Sequence, residues 1–127
     1  MSLALVVALL RTLRIAGWLC ISVLILLSWI PREWETRTGL PGQMEHAIAY
    51  WGTAAIFAFS YQDTHRGRLI AALVAVAGVL EMGQLWVPGR TSQLIDFAAS
   101  SIGAIAGVFS GRAAIAWLIG FIMRPRH

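Results

Sequence analysis

The sequence predicts an all-α integral membrane protein, a bundle of about four transmembrane helices that forms a single domain. Of its 127 residues, 58% are hydrophobic and only 13% are charged, whereas soluble domains carry about 25% charged residues. The apolar residues are gathered into runs, several of which approach the roughly 20 residues that cross the hydrocarbon core of a bilayer. Most charged residues lie between these runs, which is typical of a multi-pass membrane protein.

Four apolar runs predict the spans, at residues 13–30, 45–61, 69–87 and 92–110. Pro31 ends the first run, and Pro88 and Gly89 close the third, because proline and glycine interrupt helices. The shorter apolar stretches at residues 1–10 and 113–123 cannot span a bilayer. Each is expected to form a short interfacial helix or to extend the neighbouring helix.

The arginines predict that both termini are cytoplasmic. Four spans divide the ends and loops into two sets, and the larger set holds Arg11, Arg14, Arg66, Arg68, Arg112, Arg124 and Arg126. The smaller set holds Arg32, Arg37 and Arg90. Because cytoplasmic segments carry the excess of basic residues, the larger set is expected to lie inside and the smaller set outside.

A ridge of small residues runs along the fourth span. It is formed by Ala99, Gly103, Gly107 and Gly111, which recur every four residues and therefore lie on one helix face. Small residues let another helix approach closely. Packing within the chain is the expected use of this ridge, and homodimer formation is the alternative.

Polar residues interrupt the apolar runs near the outer side of the last three spans. His46 and Tyr50 are four residues apart on the second span, so they share a helix face. Glu81 and Gln84 share a face of the third span, and Arg90 follows in the short outer loop. These positions lie at similar depths on neighbouring helices, which predicts that the side chains converge.

The fourth span adds Ser92, Asp96 and Ser100 to this group, with Ser92 expected to cap the helix. At about 1.5 Å per residue, Glu81 and Asp96 lie about 6–9 Å below the loop that joins their helices. An ionised carboxylate facing lipid costs at least about 2.5 kcal/mol, so both are expected to face inward. The candidate ligand-binding cluster is therefore His46, Tyr50, Glu81, Gln84, Arg90, Ser92, Asp96 and Ser100.

Two interpretations of this cluster remain open. Ionisable residues inside transmembrane spans usually mark functional sites, which favours a polar pocket open to the outer side. The alternative is a structural network of hydrogen bonds and ion pairs that holds three helices together.

The cluster resembles the signature of the VanZ-like family of small bacterial membrane proteins. That family shows Glu-x-x-Gln, Pro-Gly-Arg, Ser-x-x-Asp and Asn-x-x-Gly elements. Residues 81–84, 88–90 and 100–103 correspond to the first, second and fourth of these, and the third corresponds to Ser92 and Asp96, which are one position farther apart here. His46 and Tyr50 resemble its His-x-x-x-Tyr element, so the resemblance covers about residues 42–111. The chain departs from the family at Gly42 and Gln43, where Asp-Lys is usual, and at Ser100, where Asn is usual.

The resemblance implies a multi-pass protein of the bacterial inner membrane, and the founding member of the family is linked to low-level glycopeptide resistance. The preferred hypothesis is therefore a site for an envelope lipid head group, a lipid-linked cell-wall precursor or a glycopeptide-related ligand. In this hypothesis Arg90 holds a phosphate and His46 adds a second donor. Glu81, Gln84 and Asp96 orient Arg90 or accept hydrogen bonds from sugar hydroxyls.

Two other hypotheses belong to different classes. The chain could be a non-catalytic accessory subunit of a larger membrane complex, or a small membrane hydrolase or transferase. In the latter, His46, Glu81 and Asp96 would act as acid and base or hold a divalent metal. No nucleophile elbow or His-Glu-x-x-His motif accompanies them, so binding without catalysis is favoured over catalysis, and no cofactor or resident metal is expected. Nucleic acid is not an expected partner, because the net charge of +4 comes from dispersed arginines.

Overall fold

The computed structural model describes residues 3–34 and 39–122. Within these ranges every regular element is a helix. Four α-helices carry the fold: α1 (Leu3–Trp29), α2 (Gly42–Ser60), α3 (Arg66–Gly83) and α4 (Leu94–Ile122). Two short 3-10 helices, Arg32–Trp34 and Gln84–Trp86, follow α1 and α3. The prediction of an all-helical bundle is thus confirmed for the described residues.

Three of the four helices are long and apolar enough to cross a membrane. In the described part of the chain these segments are Ala4–Trp29, Arg66–Trp86 and Leu94–Phe121. Their outward faces carry large apolar side chains, and Leu26, Val79 and Ile102 are all more than half exposed. Helices of this length and surface are consistent with a helical membrane protein.

The second predicted span is a helix but is not one of these three. Its first turns contain Gln43, Glu45 and His46, which lower the apolar character of a helix of only 19 residues. The helix packs against each of the other three, and Ala54 and Ala58 are completely buried. Because α2 packs against the other three helices, fewer of its side chains are exposed and need to be apolar. Its mean hydropathy is therefore lower than that of the other three helices.

The apolar stretches at the two ends extend their neighbouring helices. Residues 3–12 continue into α1, and residues 113–122 are the last turns of α4. No proline interrupts either junction, so separate interfacial helices are not formed in the described residues. Residues 1–2 and 123–127, with Arg124 and Arg126, lie outside the described residues, as does Arg37 in the 35–38 segment.

The closest helix pair is α2 with α4. Gly103, Gly107 and Gly111 lie against the α2 backbone, so a Cβ atom at any of them would collide with a carbonyl oxygen of Ala47, Trp51 or Ala55 respectively. Three residues of the small-residue ridge therefore contact a helix of the same chain. Ala99, the fourth, is half-buried one turn before Gly103.

The two ends of the bundle differ in charge. At one end, Arg14 donates to the carbonyl oxygen of Ser60 at 3.2 Å, and Arg112 donates to that of Gln62 at 2.7 Å. Arg66 places its guanidinium over the Phe109 ring, 5.4 Å from the centroid. We call this the arginine-rich end, defined by Arg14, Arg66 and Arg112. The opposite end, where α3 turns into α4, contains Arg90 and is called the Arg90 end.

Candidate functional site

A cavity of about 330 Å³ lies at the Arg90 end and is lined by residues of all four α-helices. Its lining combines apolar side chains, here called the apolar wall, with polar side chains, here called the polar wall. Its lining consists of Leu24, Leu27, Ser28, Leu40, Glu45, His46, Ile48, Ala49, Tyr50, Ala77, Leu80, Glu81, Gln84, Arg90 and Ser100. Six of the eight residues in the predicted cluster are therefore brought together.

The polar wall begins on α2, where His46 and Tyr50 are one helical turn apart. Tyr50 is only 3% exposed. The Nδ1 atom of His46 lies 3.4 Å from the Oγ atom of Ser100 on α4, and either group can donate, depending on the histidine tautomer. This contact joins the parallel helices α2 and α4 just above the glycine ridge.

On α3, the Glu81 carboxylate reaches the first turn of α4. Its Oε1 atom accepts a hydrogen bond from the backbone N–H of Gln93 at 2.6 Å. This contact is possible because Gly89, with a φ of +75°, turns the chain back toward α3. The start of a helix carries unpaired N–H groups and partial positive charge, so it stabilises the carboxylate. Glu81 is 7% exposed.

Gln84 links α3 to α1 across the floor of the cavity. Its Nε2 atom donates to the Oγ atom of Ser28 at 3.0 Å, and that hydroxyl in turn donates to the carbonyl oxygen of Leu80 at 3.5 Å. Both Gln84 and Ser28 are buried. These bonds fix the last turn of α1 against α3 and so set the width of the cavity.

Arg90 holds the end of α1. Its Nε atom donates to the carbonyl oxygen of Ile30 at 3.2 Å, and its Nη2 atom donates to that of Leu27 at 2.6 Å. Carbonyl groups in the last turn of a helix lack intrahelical partners, and a guanidinium has the fork of donors to satisfy two of them. Arg90 therefore lines the cavity while orienting the helix that forms its apolar wall.

Ser92 and Asp96 do not line the cavity. The α4 helix begins at Leu94, two residues after Ser92, and the N–H group of the intervening Gln93 is bound by Glu81 instead. Asp96 points elsewhere, and its Oδ1 atom is buried without a hydrogen-bond partner in the described part of the chain.

Sequence reasoning missed Glu45 and Ser28 as cavity residues. Glu45 directly precedes His46, and a start-of-helix carboxylate is usually a solvated residue. Ser28 lies in the apolar run of α1, the one predicted span that contributes no residue to the predicted cluster. The polar side chain near the end of that run was the available signal, because a buried hydroxyl needs a hydrogen-bond partner.

A metal site is not formed by the residues considered for one. His46, Glu81 and Asp96 do not come together, and no other group of three His, Cys, Asp or Glu side chains within residues 3–34 and 39–122 is placed to hold an ion. The cavity instead offers hydrogen-bond donors and acceptors beside an apolar wall, an arrangement that suits binding of an amphiphilic molecule.

Comparisons with known proteins assign no family to this chain. No family model, curated protein or solved structure matches it significantly. The resemblance to the VanZ-like family therefore depends on the quoted residues alone.

Proposed function

We propose that this chain is a membrane protein that binds the polar head of an envelope lipid, or of a lipid-linked precursor, in the cavity at its Arg90 end. The observation that carries the proposal is the division of the cavity lining. Leu24 and Leu27 of α1 contribute apolar side chains, whereas Tyr50, Glu81 and Gln84 contribute buried polar ones. An amphiphile complements both sides at once, because its stem is apolar and its head is polar.

The mouth of the cavity favours a lipid over a soluble ligand. Leu27, Leu40 and Ile48 line it and are 56%, 44% and 53% exposed, respectively. In a membrane-spanning bundle such exposed apolar side chains contact lipid chains rather than water. A lipid can therefore enter sideways from the bilayer without its acyl chains leaving the apolar phase.

The proposed orientation places the Arg90 end outside and both termini in the cytoplasm. Arg14, Arg66 and Arg112 lie together at the opposite end, and basic residues accumulate on the cytoplasmic side. We also propose that α2 crosses the membrane as a fourth span, sheltered by the three apolar helices. In this arrangement the cavity opens into the outer leaflet.

The proposed membrane is the bacterial inner membrane, and the proposed wider role is that of a VanZ-like protein linked to glycopeptide resistance. Support comes from the residues that carry the resemblance: His46, Tyr50, Glu81, Gln84 and Arg90 all line one cavity. A signature retained for a common ligand would be expected to converge in this way.

Native mass spectrometry of the purified full chain tests the lipid proposal. The expected result is one lipid retained by the wild-type protein and lost by Ala49→Trp, which fills the cavity without removing a polar group. Ala98→Trp, a matched change at an exposed position outside the cavity lining, is expected to keep the lipid. Absence of lipid from the wild-type protein, or equal retention by both variants, would contradict the proposal.

A second candidate function, an accessory subunit of a membrane complex, is favoured by the last turns of α4. Trp117, Ile119 and Phe121 are more than half exposed, and they lie beyond Arg112, which contacts the turn between α2 and α3. Extraction in a mild detergent followed by a mass measurement tests this candidate. A stable complex that dissociates in Trp117→Arg would support it, and a monomer would count against it.

A further inference from the structure

The charges in the cavity narrow the class of head group that it suits. Two carboxylates, Glu45 and Glu81, line the cavity together with one guanidinium, that of Arg90. Two hydrogen bonds of this guanidinium go to neutral carbonyl oxygens of α1. A carboxylate such as that of Glu81 attracts a cationic group and repels an anionic one. A head group that carries a cation therefore suits this lining better than a purely anionic one.

Glu81 is the buried acceptor that can meet such a group. It is 7% exposed and lines the cavity. Its Oε1 atom accepts from the N–H group of Gln93, and Oε2 accepts no hydrogen bond from any described residue. A carboxylate has about four acceptor positions, and those of Oε2 stay accessible from the cavity that Glu81 lines. A ligand donor would therefore be stabilised here.

Tyr50 provides a second feature suited to a cation. Its side chain is 3% exposed and lines the same cavity. The face of an aromatic ring attracts ammonium groups, most strongly where water is excluded. A buried carboxylate and a buried aromatic ring in one small cavity complement a primary ammonium, which has three N–H donors and a compact positive charge.

We propose that the bound head group carries a primary ammonium beside its phosphate, as in an ethanolamine phospholipid. The ammonium donates to Oε2 of Glu81 and lies near the Tyr50 ring, while the apolar stem leaves past Leu27 and Ile48. This inference rests on the proposed function and narrows its ligand class. It makes Glu81, rather than a phosphate clamp at Arg90, the principal contact with the head group.

A competition between lipids, measured by native mass spectrometry, tests whether the cavity recognises an ammonium group. The full-length protein is exposed to phosphatidylethanolamine, phosphatidylglycerol and N-acetyl phosphatidylethanolamine with identical acyl chains. The ethanolamine lipid is expected to be retained about tenfold better than either competitor, which is the factor that one charge-assisted hydrogen bond supplies. N-acetylation removes the charge from the ligand and leaves the protein unchanged, so this arm does not depend on any variant folding.

The matched variants are Glu81→Gln and Glu33→Gln. The first keeps the shape of the side chain and is expected to abolish the preference for ethanolamine. The second removes an exposed carboxylate outside the cavity lining and is expected to keep it. Persistence of the full preference in Glu81→Gln would overturn the assignment of the ammonium to this residue.

The outcomes separate this inference from the proposed function. Equal retention of the three lipids, or a preference for phosphatidylglycerol, would overturn the proposed recognition of an ammonium group. The proposal that the cavity binds a lipid would still stand. Failure to retain any lipid would overturn the proposed function as well. The last competitor is soluble phosphoethanolamine, which lacks the apolar stem. If it displaced the lipid at equal concentration, the role proposed for the apolar stem would be overturned.

Discussion

Arg90 and Arg112 each donate hydrogen bonds to backbone carbonyl oxygens outside their own elements. Arg90 reaches the end of α1, at Leu27 and Ile30, and Arg112 reaches the turn that follows α2, at Tyr61, Gln62 and Thr64. Such carbonyl groups have no partner within a helix, and a guanidinium offers five N–H donors that can satisfy several of them. Each arginine thus satisfies backbone groups while keeping its own charge hydrogen-bonded.

Substitution of Arg90 by lysine should expose this role. A lysine has one nitrogen and cannot reach two carbonyl groups in the geometry of a guanidinium, so Arg90→Lys is expected to destabilise the fold by about 1–3 kcal/mol. Thermal unfolding in detergent measures the change. Arg68→Lys, at an exposed position of α3, is the control and should melt like wild type. Equal melting of both variants would mean that the α1 contacts contribute little.

Glu81 has a structural role in addition to the proposed ligand contact. Because its carboxylate accepts the N–H group of Gln93, Glu81→Ala removes a cap from α4, and loss of a cap costs about 0.5–2 kcal/mol. The expected result is a lower melting temperature for Glu81→Ala. Glu33→Ala, which alters an exposed residue, should leave the melting temperature unchanged, and a similar loss in both variants would argue against the cap.

Among the helices, the α2–α4 contact depends on the absence of side chains. A Cβ atom at position 107 would meet the carbonyl oxygen of Trp51 and the Cβ atom of Ala54. Neither is the flexible end of a side chain, so the helices would have to separate. Between helices in a membrane, burial of apolar surface gives little driving force, so close packing along small residues contributes much of the association.

Two glycines on the same helix give a matched test of this contact. Gly107→Ala is expected to destabilise the protein by about 1–3 kcal/mol, the usual range for overpacking. Gly120→Ala has nothing within 4 Å of the added Cβ and should be neutral or slightly stabilising, because alanine favours helix more than glycine. Circular dichroism during heating compares the two. Equal effects would mean that the ridge does not hold α2.

For the molecule as a whole, the division of the arginines between the two ends predicts its direction in the membrane. Labelling of single cysteines with a membrane-impermeant maleimide in intact bacterial cells tests it, in a Cys20→Ser background, since Cys20 is the only cysteine. Thr91→Cys, at the Arg90 end, is expected to be labelled from outside. Asp63→Cys, in the turn after α2, is expected to be labelled only after the cells are permeabilised. The opposite result would invert the proposed orientation.

Much of the architecture follows from local patterns in the sequence. The apolar runs predicted the four helices to within a few residues at most boundaries, because prolines, glycines and charged residues interrupt the runs where the helices end. The largest errors are at the outer ends of α1 and α4, where residues 3–12 and 113–122 extend the helices. Length alone could not distinguish an extension from a separate interfacial helix.

Most polar residues of the candidate site could be predicted from the sequence, but their arrangement in space could not. Spacing placed His46 beside Tyr50 and Glu81 beside Gln84, because helix periodicity is local. It could not show that Asp96 lies outside the cavity or that Ser28 lies inside it, since both depend on how neighbouring helices are rotated about their axes. That rotation is set by the closest contacts, such as Gly107 against Trp51.

The sequence by itself determined the all-helical class with its long apolar helices, the small-residue ridge and the polar residues near one end, because composition and periodicity are properties of single segments. Tertiary structure alone decided that Arg90 binds carbonyl groups at the end of α1, sixty and sixty-three positions away along the chain, and that Glu81 caps α4. The direction of a long side chain depends on which unpaired backbone groups the packed helices bring within its reach. For the same reason the cavity, which four helices line, exists only once α1 is held in place.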